Sequence, residues 1–284
     1  MLLPFYHAVS DQNPTHIKHL YSPRGVEQFK SDLDYLLKYY EPISLSDVIA
    51  INKGEKKLIE NSFHITFDDG LSEFYHIAAP ILKEKGIPAT IFLNSNFIDN
   101  QELFYRFKVS LLIEELHATG LINTTLKDID AINELAAENG INFENYLAKK
   151  QPYLSSNQIK ELIDQGFTFG AHSQNHPLYS QLSLEEQLAQ TKNSINKIAT
   201  QFNLSYKVFS FPFTDDGVSA AFFNQIKNDV DLTFGCAGIK NDAFPFHLQR
   251  LAMETDQNAE SILKTEYFYY LLKSFVGKNK IVRH

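Results

Sequence analysis

The chain has no tryptophan, one cysteine and no excess of basic residues, and each of these absences excludes something. Because Cys236 is alone, an internal disulfide is excluded, and this cysteine stands in no spacing typical of a metal site. The 26 basic and 34 acidic residues give a formal net charge of −8, which argues against a nucleic-acid-binding protein, because such proteins carry a basic patch. We therefore expect no nucleic-acid partner.

Long apolar runs are also missing. No stretch approaches the ~18–20 consecutive apolar residues of a membrane span, so we expect no such segment. The chain opens with Met-Leu-Leu-Pro-Phe-Tyr-His, which lacks the basic segment and apolar run of a signal peptide. Cytoplasmic localisation is the default expectation.

What the chain does contain is a regular alternation of short β-like runs and amphipathic helical stretches over 284 residues. This alternation is typical of parallel βα units, and the length suits a single α/β barrel. The stretch 94–154 breaks the rhythm, with helical segments at roughly 101–119 and 126–149 and no clear strand between them. We predict one catalytic domain over 1–284, of the α/β class, with a helical insertion at 94–154.

Two short motifs carry the chemistry. Thr66–Gly70 contains Asp68 and Asp69, His172–Pro177 contains two histidines four positions apart, and each motif follows a β-like run. Reactive groups collect at the carboxyl ends of parallel strands, so the motifs are expected to meet there. Two histidines and one carboxylate that leave a coordination position open form a catalytic metal site, and a second carboxylate can act on water. Alone, the first motif is more often a turn and the second a chance spacing.

Together the motifs are recognisable. Thr66–Gly70 resembles the TFDDG signature of the polysaccharide deacetylases, the NodB-like carbohydrate esterases, and His172–Pro177 resembles their H-[ST]-x-x-H-P signature. The resemblance extends over most of the chain. It implies a distorted (β/α)7 barrel and hydrolytic removal of acetyl groups from N- or O-acetylated carbohydrate. An acetylated oligosaccharide or polysaccharide would be the substrate, while the oligomeric state stays open.

The resemblance also implies a role for each motif residue. Asp69, His172 and His176 would hold a divalent metal, Zn²⁺ in the first place, with Co²⁺, Ni²⁺ or Fe²⁺ as alternatives. Asp68 would be the general base that activates water. The backbone N–H of Phe213, with the metal, would stabilise the oxyanion formed at the acetyl carbonyl.

The third family motif, R-x-P-[YF], is incomplete in this chain. It aligns with the four residues that end at Phe213, and Pro212 and Phe213 are expected to contact substrate. The arginine that orients the base carboxylate in the family is replaced by Ser210. Arg250, on a late β-like run, is our candidate replacement, with a purely structural ion pair as the equal alternative. Asp215, in the turn that follows, is a further candidate for contact with substrate.

The general acid has no clear sequence match. The tryptophan of the fourth family motif cannot exist here, and the histidine motif that supplies the acid is not recognisable. Three histidines compete for the role: His7 ends the first β-like run, His247 begins a late one, and His284 is the last residue. We place His7 near the site, with a histidine that has no role as the alternative.

Two other functions therefore stay open. Loss of the motif arginine and of the acid histidine is compatible with a catalytically impaired relative that binds carbohydrate or a partner protein. A hydrolase of another non-peptide C–N bond, such as that of a cyclic amide, is the second alternative. Metal-dependent acetate release would separate both from a deacetylase.

Overall fold

The computed structural model describes all 284 residues, and its centre is a ring of parallel strands. The strands are β1 (Pro4–Tyr6), β2 (Ile65–Phe67), β3 (Ala89–Leu93), β4 (Thr168–Ala171), β5 (Val208–Ser210), β6 (Leu232–Gly235), β7 (His247–Gln249) and β8 (Leu251–Ala252). Their spatial order is β7-β6-β5-β4-β3-β2-β1-β8, and every neighbouring pair is parallel.

Strands β7 and β8 are two halves of one extended segment that is interrupted at Arg250. The first half pairs with β6, where Gln249 lies opposite Gly235, and the second half pairs with β1, where Leu251 lies opposite Pro4. The segment therefore bridges the two ends of the sheet and nearly closes it. Counted along the chain, seven strand segments form the ring, so the expected distorted (β/α)7 barrel is confirmed.

Helices cover the outside of the barrel and one of its ends. They are α1 (Val26–Tyr39), α2 (Leu45–Asn52), α3 (Ala79–Glu84), α4 (Tyr105–Leu116), α5 (Ile129–Glu138), α6 (Phe143–Lys150), α7 (Ser156–Asp164), α8 (Leu184–Gln201), α9 (Ala220–Ile226) and α10 (Ala259–Phe275). Helix α8 begins with the capping box that its sequence predicts, since Ser183 and Glu186 bond each other's backbone N–H groups. No helix has both the length and the apolar character needed to cross a bilayer.

The apolar interior has two main parts. One is the barrel core with its outer helices, which includes Phe67, Ile91 and Phe169, each at most 1% exposed. The other lies beneath α4, α5 and α6, where Leu112 and Ile132 pack together. Segment 94–154 thus forms its own helical layer on the barrel. That this layer is an insertion relative to other family members stays a prediction.

Candidate active site

The first motif is a sharp turn at the carboxyl end of β2. Asp68 N–H donates to the Tyr6 carbonyl at 2.9 Å, which continues the pairing with β1. Asp69 and Gly70 then adopt left-handed backbone angles, with φ of 70° and 64°. A Cβ at position 70 would lie 2.6 Å from Leu93, so the turn requires glycine. As a result, both successive carboxylates line the same cavity at the mouth of the barrel.

The second motif is an irregular loop at the carboxyl end of β4. Its backbone is left-handed at Ser173 (φ 69°) and His176 (φ 59°), and the Ser173 hydroxyl accepts the His176 N–H at 3.0 Å. Nδ1 of His172 donates to the Ser210 carbonyl at 2.8 Å, assigned from geometry, which leaves Nε2 as a free lone pair facing Asp69. The predicted convergence of the two histidines is therefore achieved by a loop.

Asp69, His172 and His176 converge on one point. Asp69 Oδ1 lies 3.6 Å from His172 Nε2 and 3.2 Å from His176 Nε2, and one ligand atom from each residue lies within 4.8 Å of the others. All three residues are buried. Asp69 Oδ1 accepts no well-formed hydrogen bond in the chain, although buried polar atoms are normally satisfied. A carboxylate, two imidazoles and an unsatisfied buried oxygen fit a divalent first-row metal.

The electrostatics of the three residues agree with that fit. Burial lowers the pKa of His172 to about 4, so the imidazole is neutral and its lone pair is available. Burial raises the pKa of the Asp69 carboxyl, but the neighbouring imidazoles, His176 first, outweigh it and hold that pKa well below its usual range. The rings of Phe104 and Phe213 both pack against the His176 ring, each with its centroid 4.5 Å away, and fix its orientation.

Arg250 contacts Asp68, the carboxylate of the first motif that is not a candidate metal ligand. Its Nη1 and Nη2 donate to Oδ1 and Oδ2 of Asp68 at 2.8 and 2.7 Å, a bidentate ion pair, and both residues are buried. Nη2 also donates to Ser210 Oγ at 2.6 Å, and Nε donates to the Gly235 carbonyl at 3.1 Å. Burial raises the pKa of the Asp68 carboxyl, yet the Arg250 guanidinium dominates and lowers it. Asp68 is therefore ionised.

His7 lies in the same cavity and has a partner that the sequence analysis missed. Its Nδ1 lies 2.5 Å from Oε2 of Glu254, whose other oxygen accepts the N–H groups of His7 and Ala8, each at 2.8 Å. Burial lowers the pKa of His7, but the Glu254 carboxylate outweighs it and raises the pKa to about 9. The imidazole is thus a cation at neutral pH. Glu254 follows the last barrel strand by two residues, so the rule that places reactive groups at strand ends could have found it.

The cavity itself has a volume of about 310 Å³. Its polar lining consists of His7, Asp68, Asp69, His176, Arg250 and two groups not predicted from sequence, Tyr21 and Arg106. The Tyr21 hydroxyl is shielded from solvent and has no hydrogen-bond partner in the chain. Arg106 comes from the first turn of α4, and nothing in the sequence distinguishes it from the other charged residues of that helix.

Phe213 stands at the cavity with an unusual backbone. The chain leaves β5 after Ser210, and Phe213 adopts φ 57°. Its N–H takes part in no backbone hydrogen bond, while its carbonyl accepts the Cys236 thiol at 3.3 Å. The neighbouring Pro212 is buried and does not line the cavity, so the structure does not bring it to substrate. It shapes the loop that holds Phe213.

Asp215 is not brought to the cavity either. Its carboxylate accepts hydrogen bonds from the Gln249 side chain at 3.0 Å, lies 3.0 Å from His247 Nε2, and forms an ion pair with Arg283. Arg283 also pairs with Asp242 at 2.7 Å. The expected contact of Asp215 with substrate is thus not supported, because its oxygens are occupied by this buried cluster. His247, one of the three acid candidates, belongs to the same cluster.

His284, the third acid candidate, lies outside the site as well. It lines a separate cavity of about 560 Å³ that includes none of the motif residues 68, 69, 172 and 176. Its backbone carbonyl accepts the Ala220 N–H at 2.9 Å, which anchors the end of the chain. His7 is the one acid candidate that the structure places beside Asp68 and Asp69.

Comparisons with known proteins agree with this architecture. The family model described as polysaccharide deacetylase matches residues 55–233, which include both motifs, and the chain therefore belongs to the polysaccharide deacetylase family. No curated protein matches the chain by sequence.

Solved structures resemble the whole barrel. The de-N-acetylase from Aggregatibacter actinomycetemcomitans superposes with a TM-score of 0.66 at 15% identity, covering 93% of this chain and 98% of that one. The Streptococcus pyogenes deacetylase PplD in complex with acetate gives 0.64 at 17% identity, covering 94% and 97%. IcaB from Ammonifex degensii gives 0.62 at 15% identity, covering 94% and 95%. At these identities the likeness shows the fold alone.

Proposed function

We propose that this chain is a metal-dependent hydrolase that removes acetyl groups from N- or O-acetylated carbohydrate. The observation that carries the proposal is the convergence of Asp69, His172 and His176 on one point, beside an ionised Asp68, at the carboxyl ends of the strands, where Asp68, Asp69 and His176 line one cavity. Family membership supports the carbohydrate substrate. The names of two solved relatives, a de-N-acetylase and a deacetylase in complex with acetate, support acetyl as the group removed.

Three residues would hold the metal: Asp69 through Oδ1, and His172 and His176 through Nε2. The chemistry supplied by the ion, when bound, is Lewis-acid polarisation of the acetyl carbonyl and a lowered pKa for water. Imidazole and carboxylate ligands favour Zn²⁺ and accept Co²⁺, Ni²⁺ or Fe²⁺. His172 is oriented for this task by its bond to the Ser210 carbonyl.

Asp68 takes the proton from the attacking water. A base must be ionised and must hold its geometry, and the bidentate bond from Arg250 provides both conditions. Arg250 thereby does what the motif arginine does in the family, from a different strand. The Ser210 side chain, which stands where the motif has arginine, accepts a hydrogen bond from that same guanidinium.

The other two steps use Phe213 and His7. The unpaired N–H of Phe213 can donate to the oxygen of the acetyl group as negative charge develops there. His7, protonated through its pairing with Glu254, can give its proton to the departing sugar nitrogen or oxygen. Acetate and a free amine or hydroxyl are then the products.

These groups bear on the alternative of a binding protein without turnover. That alternative arose from two gaps in the motifs, the missing arginine and the missing acid histidine. Arg250 lies on Asp68, and His7 lies in the cavity with a raised pKa, so a residue is available for each gap. Segment 94–154 contributes Phe104 and Arg106 to the cavity, and we propose that it shapes the substrate site of a single domain spanning 1–284.

Acetate release by metal-stripped protein tests the proposal. The substrates are tetra-N-acetylchitotetraose and O-acetylated xylan, each with and without added Zn²⁺, Co²⁺ or Ni²⁺. Allantoin, which has no acetyl group, is tested in parallel for ring opening to allantoate, the reaction of the other C–N bond. We expect release from at least one acetylated sugar that depends on metal and is lost in Asp68→Asn. Asp216→Asn is the matched control, since Asp216 is the exposed second aspartate of a similar Asp-Asp-Gly turn outside the cavity.

Two results would contradict the proposal. Metal binding without acetate release from any sugar would favour a binding protein, and hydrolysis of allantoin alone would favour the cyclic-amide reaction.

A further inference from the structure

Arg106 is the exception among the four arginines of the chain. Arg24 is paired with Asp32, Arg250 with Asp68, and Arg283 with two aspartates, all at buried positions. Arg106 has no carboxylate within ion-pairing distance, although it is half-buried and lines the catalytic cavity. Partial removal of a charged side chain from water without a counter-charge costs free energy, so a half-buried unpaired Arg106 is a candidate for binding a ligand.

The guanidinium of Arg106 is held in place by neutral groups. It lies over the Phe213 ring, 5.5 Å from its centroid, and its Nη2 donates to the Ile122 carbonyl at 3.3 Å. The same Phe213 ring packs against His176 at 4.5 Å. Arg106 is therefore fixed beside the proposed metal ligands, with one of its five N–H groups used.

The other charged side chains of the cavity already have partners. Asp68 is paired with Arg250, His7 with Glu254, and Asp69 faces the imidazoles of His172 and His176, which leaves Arg106 as the one cation of the cavity without a carboxylate partner. Helix α4 adds to the positive field, because it begins beside Arg106 and has no side-chain cap on its first N–H groups. A guanidinium in this setting matches carboxylate or phosphate in charge and in planar hydrogen-bonding geometry.

We propose that Arg106 is the binding site for an anionic substituent of the substrate, a carboxylate or a phosphate carried beside the acetylated position. This inference rests on the proposed function and narrows it to acidic acetylated carbohydrate. Arg106 contacts the Phe213 ring and the Ile122 carbonyl and forms no hydrogen bond or ion pair with Asp68 or His7, so it would determine specificity without taking part in the proton transfers.

Binding affinity tests the proposal separately from turnover. Titration calorimetry with the Asp68→Asn protein would compare three probes: neutral tetra-N-acetylchitotetraose, a hyaluronan tetrasaccharide carrying carboxylates, and N-acetylglucosamine 1-phosphate. The last two distinguish carboxylate from phosphate as the preferred anion. Arg106→Met keeps the length of the side chain and its contact with Phe213, and Arg106→Lys keeps the charge without the planar fork.

Lys108→Met is the matched control, because Lys108 lies on the same helix, packs over Phe143 and does not line the cavity. We expect at least one anionic probe to bind about tenfold or more tightly than the neutral probe, as one charge-assisted hydrogen bond allows. Arg106→Met should abolish that preference, Arg106→Lys should retain part of it, and Lys108→Met should leave it unchanged. Thermal unfolding checks that each variant is folded.

Equal binding of neutral and anionic probes, no binding of any anionic probe, or a preference that survives Arg106→Met would overturn the inference. None of these results affects the proposed function, which stands or fails on acetate release from the neutral and O-acetylated sugars. Conversely, selective anion binding through Arg106 in a protein that releases no acetate would uphold the site and reject the deacetylase.

Discussion

Replacing Arg250 by Met is the most informative single change in this structure. Arg250 donates two hydrogen bonds to Asp68, one to Ser210 and one to the Gly235 carbonyl, and it is 1% exposed. Met fills similar space and donates none of these bonds. The variant therefore leaves a buried aspartate without its counter-charge inside the barrel.

Two magnitudes follow from this geometry. Breaking a buried ion pair by removing one partner destabilises a protein by about 3–5 kcal/mol. Loss of an oriented general base lowers kcat/KM by about 10²–10⁴-fold. The two effects can be separated because Arg24 forms a similar bidentate buried pair with Asp32 outside the cavity. Arg24→Met should cost comparable stability while the folded fraction keeps its activity.

The effect of Arg250→Met on stability and on activity should depend on pH. With Arg250 present, the pKa of Asp68 lies below its ordinary value, so the stabilisation is complete above that ordinary value and is lost as pH falls through the lowered pKa. Without Arg250, burial raises the pKa of Asp68 and only the attraction of His172 and His7 opposes it, so that pKa is higher than in the wild type. The stability deficit of Arg250→Met should therefore shrink on acidification, and the acidic limb of the activity profile should move to higher pH.

Urea unfolding at several pH values and acetate-release kinetics measure these quantities. An Arg250→Met protein with activity within about threefold of wild type and a stability loss that does not depend on pH would refute the reasoning. Arg250 would then be a structural residue, and the orientation of Asp68 would need another source.

Three further predictions concern other parts of the structure. His172→Ala should lower metal affinity more than about 100-fold by elemental analysis or titration, because it removes a ligand, and full retention of metal would contradict the site. Glu254→Gln removes the carboxylate that raises the pKa of His7, so the alkaline limb of the pH profile of kcat/KM should move from near pH 9 down by about two pH units. An alkaline limb that does not move would exclude His7 as the general acid. Arg283→Met should lower the melting temperature, because it leaves the buried Asp215 carboxylate without its arginine partner, and it should not change the activity per folded molecule. A selective loss of activity would show that this cluster takes part in catalysis.

Much of this site could be predicted because two short contiguous motifs contain the proposed base and all three proposed metal ligands. Asp68 and Asp69 directly follow β2, His172 and His176 lie in the loop that follows β4, and the carboxyl ends of parallel strands meet at one edge of a barrel. Arg250 could be suspected because it lies on a late β-like run of the same barrel.

The rest depends on directions that a sequence does not encode locally. Whether Asp215 faces the cavity or a buried cluster is decided by Arg283, 68 residues further along the chain. The face that α4 presents to the barrel decides whether Arg106 or Lys108 lines the cavity, and the irregular connections of segment 94–154 obscure its rotation. Glu254 belongs to no motif, and only its contact with His7, 247 residues away in the sequence, identifies it as the carboxylate that raises the pKa of that histidine.

The central claim is that Asp68 performs proton transfer at a metal site built by Asp69 and the two histidines. The most direct test is a paired measurement on Asp68→Asn: bound Zn²⁺ per chain, and acetate released from the best acetylated sugar. We predict metal content equal to wild type and a rate at least about 100-fold lower. Acetate release at the wild-type rate, with metal still bound, would contradict the account.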